Sequence, residues 1–131
     1  MSNKQILIAV MKFKADLIKK FTDIDLLVED DFKEIETWDE ETCRKIIVRI
    51  RAAKERNDET DILICPWCLR FMDLEEECLD CNYKERHGWC LNKSETSTYQ
   101  RITGKTGTSI VGIQGLLPGI YNIIKEGSLK N

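Results

Sequence analysis

Cys65-Pro66-Trp67-Cys68 and Cys78-Leu79-Asp80-Cys81 form two Cys-x2-Cys pairs nine residues apart, and with His87 and Cys90 they place six soft ligands within 26 residues. Thiolate and imidazole at this density are the chemistry of a bound metal, and Zn²⁺ is the ion that such turns hold best. Zinc takes four ligands in a tetrahedron. Each Cys-x2-Cys turn offers two sulfurs from one side, so Cys65, Cys68, Cys78 and Cys81 complete the simplest shell. His87 and Cys90 stand in reserve, either replacing Cys78 or Cys81. Four protein ligands leave no position for water, so the spacing predicts a structural site and no catalytic centre.

Two local likenesses compete with that reading. Cys78-x2-Cys81-x5-His87-x2-Cys90 resembles a retroviral zinc knuckle, with spacing that departs from that family and strands Cys65 and Cys68. Asp61-Ile-Leu-Ile-Cys65-Pro-Trp-Cys68 resembles the strand and active site of glutaredoxins, which implies thiol–disulfide chemistry. Glutaredoxins add a later cis-proline facing the motif. Here the second proline is Pro118, in Leu-Pro-Gly. Gly104-Lys105-Thr106 looks like the end of a phosphate-binding loop, yet Tyr99 occupies the position of the first glycine, so the segment reads as a polar loop. Cys43 falls on an apolar helix face and reads as core.

The elements that must position these residues are mostly helical. Ile6, Val10, Phe13, Leu17 and Phe21 recur at helical spacing through residues 4–21, with lysines on much of the other side. Leu26, Leu27, Phe32 and Ile35 suit a short helix within acidic residues 23–36. Thr37-Trp38-Asp39-Glu40 has the form of a capping box, with Thr37 as cap and Glu40 reaching back. It opens a helix carrying Cys43, Ile46, Ile47, Ile50 and Ala53 on one side. Residues 61–64 favour a strand through Ile62 and Ile64. Residues 92–109 read as loop, with one short element near Tyr99 to Ile102. Ile110, Ile113, Leu117, Ile120 and Ile124 form a last helical stripe, which Pro118 kinks or splits and Gly127 stops. The expected fold class is therefore α+β, a mostly helical small domain with a cysteine-rich zinc-ribbon or knuckle module. Its parts are a helical region over 1–60, the zinc module over 61–92, and a loop with a C-terminal helical segment over 93–131, packed as one domain.

The 131 residues carry a net charge of −3, with charges of opposite sign in alternating blocks. Residues 23–41 hold ten acids against Lys33, whereas residues 42–57 hold six bases against Glu55. The longest apolar run, Ile6 to Met11, falls well short of the ~20 residues a membrane span needs. No signal peptide is evident, so the cysteines are expected to be reduced in a cytoplasmic protein.

Nucleic-acid binding is the first thought for a zinc module, but residues 65–90 hold three bases against six acids and would repel phosphate. The helix with Arg44, Arg49, Arg51, Lys54 and Arg56 is the one basic face suited to that alternative. No nucleophile elbow or His-x3-His pair is present, and the chain has one histidine. The sequence thus favours a non-enzymatic protein that binds a basic protein surface. Glu29, Asp30, Asp31, Glu34 and Glu36, together with Glu75, Glu76 and Glu77, are the candidate contact residues. In size, cysteine cluster and Lys/Ile/Asn-rich acidic character the chain is similar to the compact anti-CRISPR inhibitors of phages and mobile elements. That resemblance implies a CRISPR effector nuclease of type II systems as partner, blocked by occlusion inside the bacterial host cell.

Overall fold

The computed structural model describes residues 2–55, 65–67, 82–87, 97–106 and 113–129. Within them lie α1 (Asn3–Thr22), α2 (Glu29–Thr37), α3 (Glu40–Glu55), α4 (Asn82–His87), α5 (Thr98–Thr106) and α6 (Leu116–Leu129). No strand occurs among the described residues, so the α+β expectation is replaced by an all-helical small domain. The expectation leaned on two isoleucines at 62 and 64, which lie outside the described residues, and on an assumed zinc ribbon. Pro66 and Trp67, beyond that run, are helical, as the fixed φ of proline permits in a first turn.

Helix α1 is the centre, packing against α6, α3, α5 and α2. Having neighbours on several sides, it buries a second stripe of Leu7, Met11, Lys14 and Ile18 besides Ile6 and Val10, while Phe21 stays 57% exposed. The expected Phe13 and Leu17 are only partly buried. Ser2 and Gln5 close its start reciprocally: Gln5 N–H donates to Ser2 Oγ at 3.1 Å, and Ser2 N–H to Gln5 Oε1 at 2.8 Å. Asp23, in the left-handed region at φ 59°, ends it, a conformation aspartate tolerates better than most residues. No helix among the described residues is long and apolar enough to cross a membrane.

The turn between α2 and α3 corrects the expected cap. Asp39, not Thr37, accepts the N–H of Thr42, at 2.6 Å. Thr37 still belongs to α2 and donates its hydroxyl to Glu34 O. Glu40 caps a different helix altogether. Its carboxylate accepts the N–H groups of Asn3 and Lys4 at 3.1 and 2.9 Å, so the first turn of α3 closes the first turn of α1. Lys4 Nζ in turn donates to Glu36 O near the end of α2. Three helix ends meet in one polar knot. Cys43, Ile46, Ile47 and Ile50 face the core as expected.

At the C-terminal end, Pro118 neither kinks nor splits the helix. Gly115, at φ +86°, opens α6 and its carbonyl accepts Gly119 N–H. Pro118 then falls in the first turn, where a missing N–H costs nothing. Gly127 is not a stop, because α6 runs on to Leu129. It is a point of close approach. A Cβ there would come 2.6 Å from Ile6 Cγ1, just as one at Gly119 would come 2.1 Å from Phe13 Cζ. Two glycines eight positions apart thus let α1 and α6 lie against each other. Residues 98–106, expected as mostly loop, are α5, so Gly104-Lys105-Thr106 sits at a helix end.

These contacts give the two glycine substitutions opposite signs. Gly127→Ala gains helix propensity of ~1 kcal/mol at most but forces the buried Ile6 aside, an overpacking cost of ~1–3 kcal/mol. Urea unfolding should show it less stable than wild type. Gly104→Ala meets nothing within 4 Å and should be more stable by ~0.5–1 kcal/mol.

Candidate functional site

Helix α4 begins directly after Cys81 and is six residues long, too short to persist without packing. Tyr83, Arg86 and His87 stand three and four apart, so they share a face. That face is docked on α2. Arg86 Nε donates to Asp31 Oδ1 at 2.5 Å, and its Nη2 donates to Glu34. Asn82 Nδ2 donates to the other Glu34 oxygen at 3.1 Å. His87 Nε2 lies 2.6 Å from Asp31 Oδ2, and its Nδ1 lies 2.9 Å from Thr98 Oγ1 at the start of α5. Asp31 Oδ2 also accepts the backbone N–H of Val28 at 2.8 Å.

Asp31 is fully buried and ties its own helix start to α4, with α5 reached through His87. Burial alone would push its carboxyl up, but the bonds from His87, Val28 and Arg86 outweigh that and hold it below the ordinary carboxylate range. Arg86 moves the opposite way. Burial works against its charge, while Glu34 and Asp31 raise it above the usual guanidinium range. Since an ionised Asp31 can only accept, His87 Nε2 carries a proton. In the neutral ring the lone pair is then on Nδ1, where the Thr98 hydroxyl donates to it.

Aromatic rings extend the anchor toward the first cysteine pair. Tyr83 stacks on His87 with centroids 4.2 Å apart, Trp67 lies against Tyr83 at 4.9 Å, and Trp38 meets Trp67 edge-on at 5.5 Å. The Tyr83 hydroxyl donates to Leu26 O at 2.7 Å. Trp67, one residue before Cys68, is 1% exposed. Residues flanking both cysteine pairs are therefore seated in the same core as α1 to α3.

Carboxylate, imidazole and hydroxyl stand in the order of a nucleophilic relay. Asp31, His87 and Thr98 are 0%, 8% and 7% exposed, so a substrate cannot reach the hydroxyl without opening the core. The arrangement as it stands is a fastening. Cys43 is equally withdrawn. Burial, with the Glu40 charge second, pushes its thiol up to about 11, which keeps it protonated.

Of the expected metal ligands, Cys65 is half-buried. Cys68, Cys78, Cys81 and Cys90 lie outside the described residues, as do Glu75, Glu76 and Glu77. No three metal-binding side chains converge among the described residues. Of the expected contact acids, Glu29, Asp30 and Glu36 are exposed. Asp31 is not a surface residue, and Glu34 is held by Arg86 and Asn82. In sequence Asp31 stands in an acidic run and is expected at a contact surface. Only the shared face of Tyr83, Arg86 and His87 hinted that a carboxylate had to lie opposite. The basic face of α3 is partly spent: Glu41 takes Arg44 through two bonds, and Arg51 donates to Ser128. No family model, curated protein or solved structure matches the chain.

The depressed Asp31 pKa fixes the sign of an acid effect. Its contribution is present above the unfolded value of 3.8 and fades as pH falls through the lower folded value. Asp31→Asn should cost about 3 kcal/mol at neutral pH, since it leaves buried donors poorly matched. The gap between wild type and variant should narrow below pH ~4, measured as urea midpoints across pH 3–7.

Proposed function

We propose that the chain is a non-enzymatic protein–protein interaction protein, stapled by Zn²⁺, that inhibits a nucleic-acid-handling machine by presenting an acidic face to its basic surface. The partner class put forward is the type II CRISPR effector nuclease, with action in the cytoplasm of a bacterial host. One observation carries the reading. On α2 the acids divide by direction: Asp31 and Glu34 turn inward to fasten α4, whereas Glu29, Asp30 and Glu36 face solvent. The inner pair holds the helix in place, and the outer three offer a fixed anionic edge. Complementary charge of this kind steers association and weakens with salt.

A groove of about 300 Å³ is lined by Ala15, Leu26, Leu27 and Phe32 together with the charged Lys12, Asp16, Lys19 and Asp25. Phe32 belongs to α2 itself, so apolar and acidic contact surfaces adjoin. The cysteine pairs supply the staple. Metal held in a closed shell adds folding energy without adding a reactive position. Direct nucleic-acid binding through α3 is the weaker alternative, because Arg44 is already neutralised by Glu41.

The test is cleavage by a guide-loaded type II nuclease in the presence of the purified protein. Wild type should inhibit, and less so as salt rises. Glu29→Lys with Asp30→Lys and Glu36→Lys should raise the half-inhibitory concentration about tenfold or more while far-UV circular dichroism shows the helices retained, with a lower melting temperature because Glu29 and Asp30 favour the first turn of α2. Failure of wild type to inhibit this class of nuclease removes the proposed partner. Undiminished inhibition by the triple variant removes the acidic edge.

A further inference from the structure

We infer that the chain pairs with a second copy of itself, the acidic edge of α2 in one copy seated on the outer face of α3 in the other. Among the described residues three large apolar side chains stand out in solvent: Phe21, Val28 and Val48. Two of them lie within surfaces of opposite charge. Val48, 45% exposed, has Arg44 and Lys45 one turn before it and Arg51 one turn after, all exposed. Val28, 41% exposed, directly precedes Glu29 and Asp30, and Glu36 follows further along α2. Part of each charge is spent within the copy. Glu41 takes up Arg44, and Lys33 lies 3.6 Å from Glu29. Among the described residues Asp30, Glu36 and Lys45 make no ion pair. Arg51 donates to the uncharged Ser128 hydroxyl, so its charge too is left over.

The two left-over pairs match in span. Asp30 and Glu36 stand six positions apart, as do Lys45 and Arg51, so each pair reaches ~9 Å along its helix. A second copy is the occupant because one chain carries both halves of the contact. A net charge of −3 over 131 residues keeps copies from repelling one another strongly. A two-fold pairing places α2 of each copy on α3 of the other, so every contact is made twice. It also withdraws Val28 and Val48 from water, which favours association. Faces of single helices make a small interface of the transient kind. Its attraction is between exposed charges, which salt screens. On the function proposed above, the α2 edge that meets the nuclease is then the edge of the monomer, since one edge serves one partner at a time.

Sedimentation equilibrium of the full, reduced chain tests the pairing with no nuclease present. At low salt the weight-average mass should rise from 15.3 kDa toward twice that value as concentration increases, and fall back in about 0.5 M salt. Two variants reverse one face each: Asp30→Lys with Glu36→Lys, and Lys45→Glu with Arg51→Glu. Each should raise the dissociation constant about tenfold or more, with far-UV circular dichroism showing the helices retained. An equimolar mixture of the two should pair again, because one variant then carries bases on both faces and the other carries acids. Lost folding would not be rescued by mixing. Wild type that stays at monomer mass up to about 1 mM at low salt, variants that pair as wild type does, or a mixture that stays monomeric would each overturn the inference. A chain that fails to inhibit the nuclease but pairs in this way leaves the inference standing and removes only the proposed partner.

Discussion

The buried carboxylate of Asp31 is the constraint around which the rest of the molecule is arranged. A carboxylate withdrawn from water costs several kcal/mol unless its lone pairs are met by donors. Here the guanidinium of Arg86, the imidazole of His87 and the backbone of Val28 meet them. Those donors come from residues 55 and 56 positions apart from Asp31, and from the start of its own helix. Meeting the demand of one side chain therefore orients α2, docks α4 and, through Thr98, sets the start of α5. Hydrophobic burial supplies most of the cohesion, but it is non-directional. The polar cluster restricts which packing is allowed, because a shifted α4 would leave a charge unmet.

What was legible in the sequence is what local spacing determines. The stripes of α3 and the boundaries of α1 follow from apolar residues at three and four, and both appear in the structure nearly as read. Non-local satisfaction was not legible. Glu40 lies in a capping-box pattern with Thr37, yet its carboxylate serves α1, 36 and 37 residues away. Asp31 sits among surface acids in the sequence and is buried in the fold. Gly127 has the composition of a helix stop and the role of a contact point for Ile6. The β expectation failed for a related reason: a four-residue run carries too little period to define a strand, and an assumed metal-ribbon architecture filled the gap.

The acidic run on α2 is divided between the interior and solvent. A helix gives successive residues different directions, about 100° apart. Glu29, Asp30 and Glu36 reach solvent, and Asp31 and Glu34 reach α4. In sequence the first cysteine pair brackets Trp67 and the second precedes Tyr83, so both adjoin residues seated in the helical core.

The central claim is that Asp31 and His87 act as one unit in holding α4 and α5 to α2. A double-mutant cycle tests it most directly, with Asp31→Asn, His87→Gln and the double variant compared by equilibrium unfolding of the reduced chain. A shared hydrogen bond between buried groups predicts a coupling of ~1–3 kcal/mol, so the double variant loses far less than the sum of the single ones. Strict additivity, within a few tenths of a kcal/mol, would show that the two side chains stabilise the fold independently and would contradict the account.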